Sequence, residues 1–351
     1  MGRFFNALRG LVAALRFGNE IGAVGNWPKG MVEDRYEWLM DGYGEAETKI
    51  SSIFEEKTKT DGMYDQRTSV IGMGKLAQKS EVDSTITYRR PSEAFTAYAS
   101  FKQFDDGITL TMNEVDRMPA EKVKDLMKQT VSSWGRALRT TEEDFAATVF
   151  TKGGFTSGHD NFKNVVGSGS ILSQNTDGLA YDAKPLFNRS DNTRTSKGGG
   201  TYYNGLASLP LNVTNYATLH DLMFVTNAYD ERDERVDLKS MGKFALIFPP
   251  QLRDEAVRTV ESEYLPGTDQ NDKNPWFKSC GLVEWDALRD NAGTWYGQIL
   301  KQGLRFYRGG KPEIRPWRDE SDRSYNASIV GLYGFMAWNF RFSAAAGTPT
   351  S

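Results

Sequence analysis

Residues 119–150, PAEKVKDLMKQTVSSWGRALRTTEEDFAATVF, decide how the rest of the chain is read. Apolar side chains recur at Val123, Met127, Val131, Trp134, Leu138, Phe145 and Val149, the spacing of one helical face with a gap at Glu142. The opposite face carries Lys122, Lys128, Ser132, Arg136, Arg139 and Glu143 and is expected to be wet. Pro119 suits the first helical position, and Gly153-Gly154 ends the run. Such a helix is roughly 45 Å long, well beyond three or four turns. Gly135 and the pair Thr140-Thr141 are where it would bend. A single apolar stripe of that length needs an extended partner surface, which the flanking segments must supply.

The whole chain has 351 residues, enough for a sizeable core in two domains or one elaborated one. Its apolar and charged fractions are those of a folded globular protein. A net charge of −3 argues against tight nucleic-acid binding, which draws its affinity from Lys and Arg on phosphate. The single cysteine, Cys280, excludes an internal disulfide and fits a reducing compartment. Two histidines, His159 and His220, leave little for a metal site or a His-based triad.

Ahead of the helix, residues 1–18 (MGRFFNALRGLVAALRFG) place Phe4, Phe5, Leu8, Leu11, Val12 and Leu15 on one side, with Arg3, Arg9 and Arg16 interspersed. Arg9 does not belong in a signal-peptide apolar region, and a membrane span needs about 20 apolar residues. The reading is a short amphipathic basic helix, docked on a partner or on the same molecule, ahead of membrane-surface binding. A Gly/Asn/Pro-marked connector follows. Residues 31–56 then carry Tyr36, Trp38, Leu39, Ile50, Ile53 and Phe54 among many charges, as an arm with apolar anchors would. In 61–90, Thr68, Val70, Ile71, Thr85, Ile86 and Tyr88 flank a Gly- and Lys-containing middle too polar to form its own core. An extended two-stranded tongue fits, reaching about 40 Å and needing another molecule for stability. Asp105-Asp106-Gly107 reads as the turn of a hairpin that returns through ITLTM into the long helix.

Beyond the helix, Gly154 to Gly178 is polar and Gly-rich, and DAKPLFNRSDNTRTSKGGGTYYNGLASLPL (182–211) is again mostly loop. Thr214 is expected to cap a helix carrying Leu219, Leu222 and Met223. FALIF (Phe244–Phe248) is a buried strand, Pro249-Pro250 opens a helix, and GLVEW and TWYGQIL supply further strands of a mixed α/β layer. The last segment is strand-like through Ile314, Ile329 and VGLYGFMAWNFRF, and GTPTS is a polar tail.

Few stretches hint at chemistry. Ser190-Asp191-Asn192 and Ser240-Met241-Gly242-Lys243 match SDN and S-x-x-K, but in reversed order and without K-T-G. A turn and the approach to a strand account for them better than a serine hydrolase using Ser240 or Ser190. KGGG (197–200) lacks the P-loop order. DERDER (230–235) alternates sign and reads as a solvated, self-neutralising turn. No catalytic residue, cofactor or metal ligand is assigned.

In order and spacing, SSIFEE (51–56), FTAYASFKQFDDGITLTMNEVDR (95–117), RTTEEDFAATVF (139–150), AKPLFNRSDN (183–192), FALIFPPQLRDEAV (244–257) and YGFMAWNFRF (333–342) resemble the HK97-type major capsid protein of tailed bacteriophages, in particular its Mu-like head-subunit branch. The resemblance implies an α+β HK97-like capsid fold: an N-arm (19–60), an E-loop hairpin (62–92), a peripheral domain built on the long spine helix and a sheet (93–204 with 301–345), and a mixed α/β axial domain (205–300). The short basic helix (1–18) and a polar tail (346–351) flank these. The long N-terminal delta region of some relatives is not matched, so a separate scaffolding protein, or helix 1–17, is expected to take that role. No Lys–Asn cross-link is carried over.

The implied function is a non-enzymatic major capsid protein. It would self-assemble through pentamers and hexamers into an icosahedral shell around phage DNA, in a virion put together in the host cytoplasm. Scaffolding, portal and decoration proteins are the other expected partners. DNA is met non-specifically on the inner face, with no membrane involved. An encapsulin-like compartment shell is the alternative. Arg67, Lys75, Lys79, Arg89 and Arg90 of the E-loop are expected to meet Glu142, Glu143 and Asp144 of an adjacent subunit. Exposed pairs are worth at most about 1 kcal/mol each, so apolar anchors such as Tyr36 and Trp38 should dominate.

Overall fold

The structure is a computed structural model, and it describes residues 35–59, 64–70, 93–111, 113, 117–151, 186–190, 193–207, 209–265, 272–319, 321 and 323–347. The expected helix at 1–18, most of the tongue and residues 152–185, His159 among them, lie outside them. The chain divides into two compact units. The first takes 1–46, 104–138 and 312–331; the second takes 47–103, 139–311 and 332–351.

In the first unit, helix α1 (Arg35–Glu45) crosses the early part of the spine helix α3 (Ala120–Thr151). Glycine decides the crossing. A Cβ on Gly42 would stand 2.0 Å from the Ser132 carbonyl oxygen, and one on Gly135 would stand 2.2 Å from that of Leu39. Gly135 therefore marks a backbone-to-backbone approach, where the sequence alone offered a bend. Val123, Met127, Val131 and Trp134 are buried, as the spacing required.

Strand β11 (Glu313–Asp319) pairs antiparallel with β12 (Ser324–Ala337) from Glu313↔Val330 to Asp319↔Ser324. Asp105-Asp106-Gly107 is not a turn. It lies inside the 19-residue strand β3 (Glu93–Thr111), which neighbours β12 in the sheet. Asp106 accepts the Gly107 N–H at 2.8 Å and the Trp134 indole N–H at 2.9 Å, so its turn-forming side chain is held by the spine helix. The ladder overrides the local signal.

In the second unit, a five-stranded mixed sheet runs in the order β6 (Gly205–Ala207), β13 (Ser343–Gly347), β9 (Thr294–Ile299), β7 (Phe244–Phe248) and β8 (Gly281–Glu284). β7 and β9 are antiparallel, while the outer pairs β6–β13 and β7–β8 are parallel. Leu246, Phe248, Trp295 and Ile299 share one core with Tyr216, Leu219 and Met223 of the helix region 213–226. SAAAG at 343–347 joins this sheet, although the resemblance grouped 301–345 with the peripheral elements and left a tail from 346. Alanine carries no strand signal. Here the small side chains fit a sheet position wholly buried on both faces.

Helix α4 (Val213–Asp221) is capped by Asn212, whose Oδ1 accepts the Asn215 N–H at 2.8 Å; Thr214 lies inside the helix. Strand β1 (Glu55–Thr58) pairs in parallel with β10 (Leu304–Arg308), which pairs antiparallel with the end of β12. Ile50, Ile53 and Phe54, read as arm anchors, are buried in this chain's own core. Phe54 meets the Phe150, Trp285 and Phe306 rings edge-on.

Candidate intersubunit surface

The tongue has a root in the described residues. β2 (Tyr64–Val70) pairs antiparallel with the start of β3, from Tyr64↔Ser100 to Val70↔Glu93, with an irregularity between Thr68 and Val70. Thr68 and Thr96 share a hydroxyl hydrogen bond of 3.0 Å across the pair. In sequence, 71–92 lies between the two paired ends. Lys75, Lys79, Arg89 and Arg90 fall there, outside the described residues.

Two carboxylates hold the root. Glu55 of β1 accepts from Arg305 (Nη2–Oε1 2.7 Å, Nε–Oε2 3.0 Å) and from Arg67 Nη1 at 3.3 Å. The Arg67 guanidinium also sits 3.8 Å above the Trp338 ring. Asp65 accepts from Lys57 at 3.1 Å and Lys59 at 3.2 Å. Burial opposes ionisation of Asp65, but hydrogen bonds from Lys57, Tyr307 and Lys59 overcome it and bring the carboxyl down to about 2. Burial, with help from Asp65, pushes the Tyr307 phenol up to about 12. Arg67, expected to reach a neighbour, is thus engaged in its own chain.

At the end of the spine helix the three acidic residues part company. Glu142 is 1% exposed and accepts from Arg308 at 3.0 Å and Arg139 at 3.3 Å. Glu143 is 8% exposed and accepts the Lys49 backbone N–H at 3.1 Å and the Trp285 indole N–H at 2.8 Å. These two are turned into the chain's own fold, where residues distant in sequence hold them. A helical stripe that reads Glu142 as a gap and Glu143 as wet misses partners 166 and 142 residues away. Asp144 is exposed. Partial burial raises its pKa, as do Asp286 and Asp290, against the Arg289 charge.

Of the arm anchors, Trp38 is 6% exposed and packed within the first unit, where Lys124 lies 5.9 Å above its ring. Tyr36 is half-buried. Trp38 belongs to the crossing of α1 on α3, and alternation of apolar and charged residues did not distinguish that from a reach outward.

DERDER forms the expected turn, but its carboxylates are not left to solvent. Asp233, at φ 62°, accepts from Ser196 Oγ at 2.6 Å, Tyr202 Oη at 2.7 Å and the Gly200 N–H at 2.9 Å. Glu231 pairs with Arg341, both buried. No local signal identifies these partners. Ser240 donates to the Asp237 carbonyl at 2.8 Å in a short 3₁₀ turn, and Ser190 is exposed in a turn. Burial lowers the His220 pKa and raises that of Cys280. Among the described residues no His/Cys/Asp/Glu group is arranged to hold a metal, and no helix is long and apolar enough to cross a membrane.

No protein-family model and no curated protein matches the sequence. Solved structures do. The mature capsid of bacteriophage PhiM1 aligns with TM-score 0.51 at 10% identity, over 87% of this chain and 88% of that one. Mycobacterium phage Patience gives 0.52 at 9% identity over 92% and 87%. The capsid of an empty GTA particle gives 0.51 at 8% identity over 87% and 92%. The chain has the mixed helix-and-sheet HK97-like capsid fold.

Proposed function

We propose that the chain is a major capsid protein: a structural subunit that assembles with copies of itself into the closed icosahedral shell of a tailed-phage head. The observation that carries this reading is the HK97-like fold together with a tongue root braced by Glu55 and Asp65. Bracing a hairpin at its base is useful when the hairpin acts at a distance from its own core. Arm and E-loop contacts made after the first are intramolecular in effect, so modest pairs add up.

On this reading the N-arm, E-loop, peripheral and axial parts keep the boundaries given above, save that 343–347 go with the axial sheet. Lys75, Lys79, Arg89 and Arg90 meet a neighbour at the exposed Asp144, since Glu142 and Glu143 are occupied at home. Placement in the Mu-like branch rests on the quoted sequence stretches. Scaffolding, portal and decoration proteins, non-specific contact with packaged DNA, and assembly in the host cytoplasm belong to the same proposal. Electron microscopy of particles from cells expressing the chain tests it: shells of pentamers and hexamers support it, and an enduring monomer refutes it.

A further inference from the structure

The KGGG stretch (197–200) forms the tip of a two-stranded hairpin, β4 (Arg194–Thr195) with β5 (Thr201–Tyr202). The Ser196 N–H closes it on the Gly200 carbonyl at 2.9 Å. The tip wraps the Asp233 carboxylate, which accepts the Ser196 and Tyr202 hydroxyls and the Gly200 N–H. The fit leaves no room for side chains. A Cβ on Gly198 would stand 2.3 Å from Asp233 Oδ2, and one on Gly200 would stand 2.5 Å from Oδ1. The Gly198 N–H is fixed as well, on the Glu231 carbonyl at 2.9 Å. Both sequence neighbours of Lys197 are therefore anchored on the 229–235 turn, and they place the base of its side chain.

From there the Lys197 ammonium donates to the backbone carbonyl of Glu93, 104 residues away in sequence. Glu93 is the first residue of β3 after the tongue, and it pairs with Val70 at the far end of the ladder with β2. The outgoing strand has braces of its own. Arg67 of β2 donates to Glu55 of β1, which follows the short helix α2 (Ile50–Ile53), and Asp65 of β2 accepts from Lys57 and Lys59. Those contacts act on β2, whereas Lys197 acts on β3.

We propose that Lys197 is a positioning residue for the tongue: the hairpin tip shaped by Asp233 holds it, and it fixes the returning strand at Glu93. Its use rests on the reading of the chain as a shell subunit whose tongue acts on a neighbour. With both strands tied to separate parts of the chain, the direction of the tongue is set at two points. One hydrogen bond at a strand end governs local opening more than global unfolding.

Hydrogen exchange of the full, unassembled chain tests the brace, and counting particles by electron microscopy tests its use. In Lys197→Met, amides of 93–97 are expected to exchange about fivefold faster, the effect of one lost hydrogen bond on local opening. Amides of 244–248 are expected to exchange as in wild type, and Lys197→Arg to restore protection at 93–97. Asp233→Asn suits the left-handed backbone at φ 62° but sets an amide donor against donors of the tip, and it is expected to loosen the same segment. Fewer closed shells from Lys197→Met than from wild type and Lys197→Arg support the positioning role. Unchanged exchange at 93–97 in Lys197→Met overturns the brace, and wild-type protection in Asp233→Asn overturns the part given to the hairpin tip. Faster exchange with an undiminished shell count overturns the positioning role. If wild type itself forms no shells, the capsid reading fails separately, and exchange still decides the contact.

Discussion

Arg305 closes on Glu55 with three hydrogen bonds, of 2.7, 2.8 and 3.0 Å, across 250 residues of sequence. The pair ties β10 to β1 at the point where β2 leaves toward the tongue, and Arg67 of β2 shares the same carboxylate. A side chain that serves both strands sets where the tongue begins.

Arg305→Met leaves Glu55 with Arg67 as its partner. Glu55 is itself partly exposed, so the loss is small, about 1 kcal/mol, and Tm falls by no more than about 4 °C. If the tongue acts on neighbours, particle yield falls far more than this stability change explains. Equal losses in folding and assembly count against a bracing role.

Gly42→Ala and Gly135→Ala place a methyl group about 2 Å from backbone carbonyl oxygens of the facing helix. Alanine in a helix ordinarily gains about 1 kcal/mol over glycine, but overpacking against rigid backbone costs about 1–3 kcal/mol or more. The clash wins. Each variant is expected to unfold at lower urea than wild type, and a stabilised variant contradicts the crossing.

Arg308→Met removes the closest cation from Glu142, a carboxylate 1% exposed. Breaking a buried pair from one side costs about 3–5 kcal/mol; Arg139 stays and holds the loss near the lower end. Arg308→Met combined with Glu142→Leu recovers part of it. A denaturant series on the two variants reads the difference.

Asp65 has its carboxyl lowered from 3.8 to about 2. A depressed carboxylate adds stability above its unfolded value and loses it as pH falls through the folded one. Wild-type stability therefore drops between about pH 4 and about pH 2 by an amount missing in Asp65→Asn. Acid unfolding curves of identical shape in the two proteins contradict the assignment.

Much of the fold was legible because its signals are local and long. The stripe Val123 to Val149 needs no tertiary context to read as a helix, and FALIF needs none to read as a buried strand. What the sequence hid is non-local. Asp105-Asp106-Gly107 has turn chemistry, yet Trp134 and the ladder with β12 straighten it. SAAAG has no strand signal and acquires its place from burial beside β9. The site residues divide the same way: charge alone marked Glu142, Glu143, Asp144 and Arg67 as contacts, but only Asp144 is left exposed, because Arg308 and Trp285 arrive from distant sequence to take the two glutamates and Glu55 of the adjoining strand takes Arg67.

The most direct measurement is electron microscopy of the chain expressed alone and together with a scaffolding partner. Closed shells with pentameric and hexameric capsomers are the predicted result. A solitary subunit under both conditions, with residues 71–92 packed on its own body, would contradict the account.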